Sequence, residues 1–314
     1  MNAQALWCVA PGQVEIRPAT VGTGVAVTTL FSAISRGTER LVAEGRVPVS
    51  EYDRMTGPNM EGAFPFPVKY GYCNVGEVQE GPLAGRHVFS LFPHQTHFCL
   101  AQENLNILPE ALPVPRAVLA ANMETALNIL WDSGAGAGDR IAVIGAGVVG
   151  ALVGYLAARL PGADVALIDT NPARAYLAAA LGVGFAAPDE APNDCDVVIH
   201  ASANPAGLAL GLSIAGDNAT IVEASWYGDK SIPVALGGAF HSRRLRLIAS
   251  QVGHLPPARL PRWTYARRMA KALALLCDDR LDALISGETP FADLPDRYAG
   301  ILAAPDTLCH RIRY

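Results

Sequence analysis

Three closely spaced glycines have the type and spacing of a phosphate-binding turn. Residues 140–150 form an apolar, strand-like run that ends in Gly145, Gly147 and Gly150, spaced G-x-G-x-x-G. Gly145 permits a tight turn, Gly147 lets backbone N–H groups approach a pyrophosphate, and Gly150 lets the next helix pack on its strand. The positive N-terminal end of that helix faces the phosphates. The pattern predicts a dinucleotide site, and a glycine-rich turn that binds nothing is the alternative.

A carboxylate at the end of the next predicted strand supports the same prediction. Asp169 follows the apolar run 164–168. Its side chain can accept hydrogen bonds from the diol of an adenosine ribose, whereas it would repel an added 2′-phosphate. NAD is therefore the predicted cofactor, in preference to NADP. The predicted cofactor-binding residues are Gly145, Gly147, Val148, Val149, Gly150, Asp169, Thr170, Asn171 and Arg174.

The composition argues against several other classes of protein. The chain of 314 residues is long enough for two domains with cores of their own. No apolar run reaches the length of about twenty residues that a membrane-spanning helix needs, and the net charge of −5 argues against a nucleic-acid surface. The cysteines are scattered and no secretory signal is visible, so a cytoplasmic protein with reduced thiols is expected. A predicted solvated basic face contains Arg259, Arg262, Arg267, Arg268 and Lys271.

Residues 1–120 are predicted to form an irregular β domain, because Gly and Pro break up apolar runs of strand length. The predicted strands are Ala3–Val9, Gly24–Phe31, Gly71–Val78 and His87–Leu91. Residues 55–66 are predicted to be a long loop. A proline-punctuated crossing at 108–115 leads out of this domain, and a helical pattern begins at Arg116.

Strands and helices alternate in residues 121–254, which predicts an α/β fold with a doubly wound parallel sheet. After the glycine turn, the predicted elements are helix Pro172–Gly182, strand Asp196–Ala201, helix Pro205–Gly216, strand Ala219–Ala224 and strand Leu245–Val252. The cofactor is expected at the carboxyl ends of the strands, where the strand order reverses. Residues 255–314 contain one predicted helix, Thr264–Cys277, and an irregular tail. This segment has too few elements for a core, so it is expected to pack on the first domain.

The order of these parts resembles that of the medium-chain dehydrogenases/reductases, over essentially the whole chain. Besides the glycine turn, the likeness rests on 37–39 (Gly-Thr-Glu), which is similar to the G-T-D segment of that superfamily. It also rests on 70–76, which stands where G-H-E-x-x-G is usual. Residues 34–41 are similar to the subgroup that contains bacteriochlorophyllide a dehydrogenase. The resemblance implies a GroES-like catalytic domain, a Rossmann domain, a small-molecule substrate and a homodimer formed through edge strands of the central sheet. It also makes Arg174 similar to a basic residue that flanks the adenosine in NAD-using members.

The resemblance also implies where a catalytic zinc would be bound. Zinc-dependent members use a Cys before G-T-D, the His of G-H-E and a third ligand near the domain junction. The matching positions here are Arg36, Tyr72 and 121–122. A guanidinium stays protonated and offers no lone pair, and a neutral phenol is a poor substitute for imidazole. A zinc-independent site is therefore expected.

Without a metal, another group must stabilise the substrate oxygen as hydride moves. Arg36 and Tyr72 are predicted to polarise a carbonyl, and Tyr72 is predicted to supply the proton through Thr38. Thr38 resembles the hydroxyl that relays protons in zinc-dependent members. The alternative is structural: Arg36 would pair with Glu39 or another acid, and Tyr72 would only pack.

Three further residues are candidate acids or bases. His94 and His97 follow a strand in a region where the superfamily lines its substrate pocket, and imidazole titrates near neutral pH. Either histidine could instead be a hydrogen-bonding loop residue. Glu124 could act as a base or cap its helix, and the structural role is favoured. The predicted catalytic residues are Arg36, Thr38, Tyr72 and His94.

The leading prediction is a cytoplasmic, zinc-independent, NAD(H)-dependent oxidoreductase that moves hydride between nicotinamide and a carbonyl or secondary alcohol. One alternative is the reduction of an enone or quinone, as in other zinc-free members of the superfamily. The other is a non-catalytic nucleotide-binding protein that serves as a sensor or partner surface. The sequence leaves the identity of the substrate open.

Overall fold

The strand-rich part and the alternating part of the sequence form separate units in the computed structural model, which describes residues 2–314. The first unit comprises residues up to Ala121 together with Met269–Tyr314. The second unit comprises Asn122–Arg268. Within the described range, no helix has both the length and the hydropathy needed to span a bilayer.

The N-terminal part of the first unit consists of short strands with two helices between them. The strands are β1 (Ala3–Ala10), β2 (Gln13–Ala19), β3 (Val25–Ser35), β4 (Glu61–Gly62), β5 (Val68–Lys69), β6 (Asn74–Val78), β7 (His87–Ser90), β8 (His97–Leu100) and β9 (Asn106–Ile107). The helices are α1 (Arg36–Ala43) and α2 (Tyr52–Met55). One antiparallel sheet has the order β2-β1-β5-β4, and in the second sheet β3 pairs with β6 and β8. Phe92 stacks on Phe98 in the core beside β3, with ring centroids 4.0 Å apart.

The second unit alternates strands and helices. Its strands are β10 (Arg140–Ile144), β11 (Asp164–Ile168), β12 (Gly184–Ala186), β13 (Cys195–His200), β14 (Ala215–Glu223) and β15 (Arg246–Ala249). Its helices are α3 (Ala120–Ser133), α4 (Val148–Ala157), α5 (Arg174–Leu181), α6 (Pro205–Ile214), α7 (Ala239–Ser242) and α8 (Tyr265–Leu275), of which α3 and α8 cross the boundaries between the units. The strands are parallel and lie in the order β12-β11-β10-β13-β14-β15. The predicted fold class, with a doubly wound parallel sheet, is confirmed.

The two strands on each side of the point where the strand order reverses end at the same level. Ile144 at the end of β10 is the register partner of Ile168 in β11 and of His200 in β13. His200 is in turn the partner of Glu223 at the end of β14. The carboxyl ends of these strands therefore meet along one edge, which is where doubly wound sheets bind their ligands.

The C-terminal segment extends the second sheet of the first unit. After α8 come β16 (Ile285–Pro290), α9 (Leu294–Ala303) and β17 (Cys309–Arg313). β17 pairs antiparallel with β3, so that Cys309 lies opposite Ser35 and Arg313 opposite Phe31. The prediction of an irregular tail is therefore wrong. Both strands are short and mix charged with apolar residues, so they show no clear strand pattern before they pair.

Most other differences from the predicted elements are shifts of their ends. The predicted strand 245–252, for example, is observed only at Arg246–Ala249, and the strand predicted at 219–224 already begins at Ala215. The predicted loop at 55–66 contains the short strand β4, which pairs with β5. Pairing with a neighbouring strand sets these limits, and a single segment does not contain that information.

An ion-pair cluster joins the returning segment to the end of the N-terminal part. The guanidinium of Arg116 donates to Asp282 at 2.7 and 2.8 Å and to Asp279 at 2.7 Å. Arg116 is only 2 % exposed, whereas both aspartates lie at the surface. The hydrogen bond from Arg116 lowers the pKa of Asp282. These contacts hold the C-terminal segment against the first unit.

The prediction of a solvated basic face is wrong for Arg268, which is 2 % exposed. Its guanidinium donates to Oε1 of Glu124 at 3.0 Å, to Oδ1 of Asn128 at 2.5 Å and to the carbonyl of Val252 at 2.7 Å. A buried cation is tolerated when acceptors surround it in this way. Glu124 is therefore the buried partner of Arg268, in keeping with its favoured structural role.

Replacing Arg268 should destabilise the second unit far more than replacing its neighbour. In Arg268→Met, Glu124 is left as an unpaired buried carboxylate, so the free energy of unfolding should fall by about 3 kcal/mol. In Arg267→Met, an exposed arginine of the same helix loses only surface contacts, with the carbonyl of Arg262 and the ring of Trp263, so the change should stay below about 1 kcal/mol. Urea unfolding followed by circular dichroism measures both variants. Equal effects would show that the Arg268 cluster does not stabilise this unit.

Candidate functional site

The turn after β10 has a backbone conformation that glycine favours. Gly145 has a φ of +104°, and its N–H donates to the carbonyl of Ile168 at 2.8 Å. A Cβ at this position would lie 2.8 Å from the backbone N and Cα of Ser202, which follows β13. Gly145 is thus required both by its torsion angle and by the close approach of the neighbouring chain.

The first turn of α4 packs tightly on that glycine turn and leaves open space at its N-terminus. A Cβ at Gly150 would overlap the carbonyl oxygen of Gly145, whereas a Cβ at Gly147 would meet nothing within 4 Å. Gly147 occupies the N-cap position, and Val148 and Val149 are the first residues of α4. The backbone N–H groups of a helix start, with open space above them, fit a bound pyrophosphate. The residues present here therefore fit a dinucleotide.

Asp169 fixes the same turn from the end of β11. Its Oδ2 accepts from the N–H of Ala146 at 2.7 Å, and its Oδ1 accepts from the N–H of Asn171 at 2.8 Å. A carboxylate has about four acceptor positions, so the two oxygens can still accept from a ribose diol. Thr170 is exposed beside Asp169, and Arg174 begins α5. All the predicted cofactor-binding residues therefore lie in the turns that follow β10 and β11 or in the first turn of the helix after each.

In the first unit, the phenol of Tyr72 lies against the start of α1. Its hydroxyl makes hydrogen bonds with the side chains of Ser35 and Thr38. Burial raises the pKa of Tyr72 well above its ordinary value, and the two hydroxyl contacts only partly oppose this shift. The phenol is therefore protonated near neutral pH and can donate a hydrogen bond. The structure brings together Tyr72 and Thr38, and it adds Ser35, which the sequence analysis did not single out.

Arg36 begins the same helix and follows Ser35 directly. Its Nε donates to the carbonyl of Leu302 at 3.0 Å, in the last turn of α9. A cation is favourable at a helix C-terminus, where carbonyl groups lack intrahelical partners. This contact gives Arg36 a structural role between α1 and α9.

Glu39 occupies a buried polar network. Its side chain is 1 % exposed, and Oε1 accepts from the backbone N–H of Ser35 at 2.7 Å. Its Oε2 lies 3.0 Å from Nε2 of His94 and accepts from the hydroxyl of Tyr298 at 2.8 Å. The burial of this carboxylate is offset by three donors from three different parts of the chain.

The network continues through His94 to the C-terminus. Because the carboxylate accepts, Nε2 of His94 donates to Glu39 and Nδ1 accepts from the hydroxyl of Ser32 at 2.8 Å. Ser32 in turn lies 2.9 Å from the hydroxyl of Tyr314. His94 itself is 1 % exposed. Both ring nitrogens thus make hydrogen bonds within the network. The ring also packs on Gly71, where a Cβ would lie 3.0 Å from Nε2, so the network contacts the segment that contains Tyr72.

The sequence indicated only some members of this network. Glu39 and His94 were visible in the G-T-E segment and in the loop after β7, but their contact was not. Tyr298 and Tyr314 carry no sequence signal, because they reach Glu39 and Ser32 only when the C-terminal segment folds back. His97, the other candidate histidine, is half-buried, and its Nδ1 lies 3.1 Å from the hydroxyl of its neighbour Thr96.

Among residues 2–314 no group of three or more His, Cys, Asp or Glu side chains is placed to hold a metal ion. Cys73, which follows Tyr72, is buried, and burial raises the pKa of its thiol well above the ordinary value. It is therefore a neutral, packed thiol.

No protein-family model matches the chain, and the search of curated sequences finds no relative. Solved structures, in contrast, match it over its full length. A protein assigned as a zinc-binding dehydrogenase from Sinorhizobium meliloti, solved with NADP, superposes with a TM-score of 0.79 at 18 % identity and 100 % coverage of both chains. An Escherichia coli CFT073 alcohol dehydrogenase, solved with NADH, gives 0.79 at 14 % identity and 100 % coverage of both. Bacillus subtilis 2R,3R-butanediol dehydrogenase gives 0.77 at 16 % identity and 99 % coverage of both. The chain therefore has the fold of these dehydrogenases, with a GroES-like part and a Rossmann part.

Replacing the buried His94 should destabilise the first unit more than replacing His97. In His94→Leu, Glu39 and Ser32 lose a partner inside the protein, so the free energy of unfolding should fall by about 2–3 kcal/mol. In the matched His97→Leu variant only a contact with the adjacent Thr96 is lost, and the loss should stay below about 1 kcal/mol. Urea unfolding followed by circular dichroism measures both. A His94 variant as stable as the parent would exclude a structural role for this network.

Proposed function

We propose that this protein is an NAD(H)-dependent oxidoreductase that moves hydride between nicotinamide and a carbonyl or secondary alcohol, without a catalytic zinc ion. The observation that carries the proposal is the glycine turn. Gly145 and Gly150 allow contacts that no other residue would permit, and Gly147 leaves open space above the start of α4. The shared fold with dehydrogenases solved with NADP and NADH supports it.

The second unit holds the dinucleotide in this proposal. Backbone N–H groups at Gly147, Val148 and Val149 bind the pyrophosphate, and Asp169 accepts from the adenosine ribose. When bound, the nicotinamide supplies the hydride chemistry. The protein's own contribution is to hold the dinucleotide across the reversal of strand order.

The preference for NAD over NADP rests on Asp169. Two backbone N–H groups hold its carboxylate in the turn after β11, and in this proposal a 2′-phosphate on the adenosine ribose would approach that carboxylate. A carboxylate and a phosphate in contact would repel each other, and the carboxylate offers the phosphate no hydrogen-bond donor. One of the similar structures was solved with NADP and another with NADH, so the shared fold does not indicate which cofactor is used. The proposed preference therefore depends on this chain's own Asp169.

The first unit supplies the proton donor in this proposal. The protonated Tyr72 donates a hydrogen bond to the substrate oxygen, and Thr38 and Ser35 orient the phenol. As the carbonyl oxygen gains negative charge it takes the phenolic proton, which a hydroxyl partner then replaces. Arg36 adds a permanent positive charge at the start of α1, the helix that contains Thr38. His94 acts as a positioning residue through Glu39.

The proposal that zinc is not needed rests on the side chains at the positions where the resemblance places its ligands. Arg36 has no lone pair to give, and a neutral phenol is a poor substitute for imidazole as a zinc ligand. The neighbouring thiol of Cys73 is likewise protonated. A phenol and a guanidinium can stabilise a developing alkoxide where a metal would otherwise do so.

A homodimer in the cytoplasm remains part of the proposal. Strand β15 lies at one end of the six-stranded sheet and pairs with β14 on one side. An edge strand presents backbone groups with which a second copy can pair. We propose that two chains associate through β15, with a small molecule as the substrate and no nucleic-acid or membrane partner.

Asp169 should determine the choice of cofactor. We expect the parent protein to bind NADH at least about tenfold more tightly than NADPH, because the carboxylate accepts from one ribose and repels the phosphate of the other. Asp169→Ser should weaken the binding of NADH and make the dissociation constants for NADH and NADPH similar. Asp164→Ser, at the opposite end of β11, is the matched control and should change neither. Fluorescence titration gives the constants, and tighter binding of NADPH by the parent would contradict the assignment.

Removing the phenol of Tyr72 should impair turnover without affecting cofactor binding. In Tyr72→Phe, turnover should fall by about 10²–10³-fold, because one hydrogen-bond donor to the developing oxyanion is lost. The dissociation constant for NADH should stay within about twofold. Tyr70→Phe, which removes a buried phenol two residues earlier, is the control. Oxidation of NADH over a panel of ketones, aldehydes and enones measures turnover.

The same panel separates the competing functions. Consumption of enones alone would favour reduction of a conjugated carbon, and NADH binding without turnover of any substrate would favour a sensor. Unchanged turnover in the Tyr72 variant would remove the phenol from the mechanism.

A further inference from the structure

The two halves of the parallel sheet each end in a carboxylate at an equivalent place. A doubly wound sheet consists of two βαβαβ halves that meet where the strand order reverses, and a dinucleotide lies across that point. β10 and β13 flank the reversal, so β11 and β14 are the next strands outward on either side. Asp169 follows β11, and Glu223 is the last residue of β14. Glu223 is therefore the second half's counterpart of Asp169, although it lies one residue earlier in register, level with Ile168.

The local contacts of the two carboxylates are also alike. Asp169 accepts from the N–H of Asn171, two residues on, and Glu223 accepts from the N–H of Ser225, two residues on, each at 2.8 Å. With its other oxygen, each carboxylate reaches the end of the strand that flanks the reversal. Asp169 reaches the N–H of Ala146 after β10, and Glu223 reaches Nδ1 of His200 in β13, at 2.8 Å. The same arrangement is thus built twice along one edge of the sheet.

His200 fixes the carboxylate of Glu223. Because Nδ1 donates to Glu223, Nε2 accepts from the hydroxyl of Ser202, 2.6 Å away. His200 is fully buried, with a side-chain exposure of 0 %, whereas that of Glu223 is 17 %. The ring therefore has no atom free for a ligand, but the carboxylate can be reached from solvent.

One acceptor position of Glu223 is only weakly used. Three groups donate to it: the N–H of Ser225, the ring of His200 and the hydroxyl of Tyr227, which is 3.3 Å away and the most distant of the three. Burial raises the pKa of Tyr227, so its hydroxyl keeps its proton. A carboxylate has about four acceptor positions. The ring of His200 lies within hydrogen-bond distance of both oxygens, at 3.0 and 2.8 Å, so the position that Tyr227 occupies at 3.3 Å is the one open to a stronger donor.

We propose that Glu223 binds the diol of the nicotinamide-side ribose, as Asp169 binds the diol of the adenosine ribose. The inference rests on the proposed dinucleotide function, because the second ribose lies beyond the reversal only if the first lies at Asp169. In this arrangement His200 and Ser202 are positioning residues, which hold the carboxylate at the end of β14. The two riboses are then recognised by the same chemistry at equivalent strand ends.

Fragments of the dinucleotide distinguish the two ribose sites. ADP contains only the adenosine ribose, ADP-ribose contains both riboses without nicotinamide, and NADH contains both riboses and the base. Binding of each to the full-length protein is measured by isothermal titration calorimetry. In Glu223→Gln, ADP-ribose and NADH should bind about tenfold more weakly, whereas ADP should change by less than about twofold. In the matched control Asp169→Asn, all three ligands should bind more weakly.

The other outcomes of this experiment would contradict either the assignment of Glu223 or the proposed function. An equal loss for ADP and ADP-ribose in Glu223→Gln would show that the residue supports the sheet as a whole, and no loss for any ligand would remove it from the site. Either result rejects the assignment of Glu223 and leaves the proposed function intact. If the parent protein itself fails to bind ADP and NADH, the proposed function fails instead.

A second variant tests the same site without removing the carboxylate. In Tyr227→Phe, the most distant donor to Glu223 is lost, so ADP-ribose should bind as tightly as in the parent or more tightly. ADP should be unaffected. A selective tenfold loss for ADP-ribose in this variant would assign the ribose contact to Tyr227 and overturn the proposal for Glu223. Because the buried His200 pair is retained, this variant also yields a result if Glu223→Gln does not fold.

Discussion

The close approach of the glycine turn to its surroundings is the constraint on which the second unit depends. Gly145 touches the backbone after β13, and Gly150 touches Gly145, so that a side chain at either position would collide with main-chain atoms. These contacts bring the start of α4 to the carboxyl edge of the sheet at the reversal of strand order. The N–H of Ala146 is then directed to Asp169. A turn that only connected a strand to a helix would not need two such contacts and a fixed carboxylate.

The first unit depends on a different kind of constraint, which is the burial of Glu39. An ionisable group that is 1 % exposed must find its donors inside the protein, and these come from Ser35, His94 and Tyr298. The three donors lie in distant parts of the sequence, so the carboxylate joins the start of α1, the loop after β7 and α9. Because Ser35 is also a hydrogen-bond partner of Tyr72, these contacts help to fix the position of the phenol. The buried carboxylate of Glu39 thus connects the folding of the first unit to the placement of Tyr72.

The sequence predicted the second unit better than the first for a physical reason. The glycine turn, Asp169 and the alternation of strands and helices are local patterns, and each is imposed by contacts within a few tens of residues. The pairing of β17 with β3, by contrast, joins Cys309 to Ser35 across most of the chain. No local pattern indicates such a pairing, and for this reason the strands of the tail and the contact of Tyr298 with Glu39 were not predicted. Arg268 was predicted to lie in a solvated face because its partners in α3 are also far away in sequence.

Three buried or half-buried glutamates show how the surroundings decide what one side chain does. Glu39 and Glu124 are almost fully enclosed, and internal donors or a guanidinium satisfy them, so each stabilises the fold. Glu223 has the same kind of internal partners, yet 17 % of its side chain remains exposed at the edge of the sheet where ligands bind. Holding a carboxylate rigid with a buried histidine orders the side chain before any ligand arrives, which lowers the entropic cost of binding. An enclosed glutamate needs no such orientation, because its partners are already part of the protein. The combination of a rigid carboxylate and partial exposure therefore distinguishes a binding residue from a structural one.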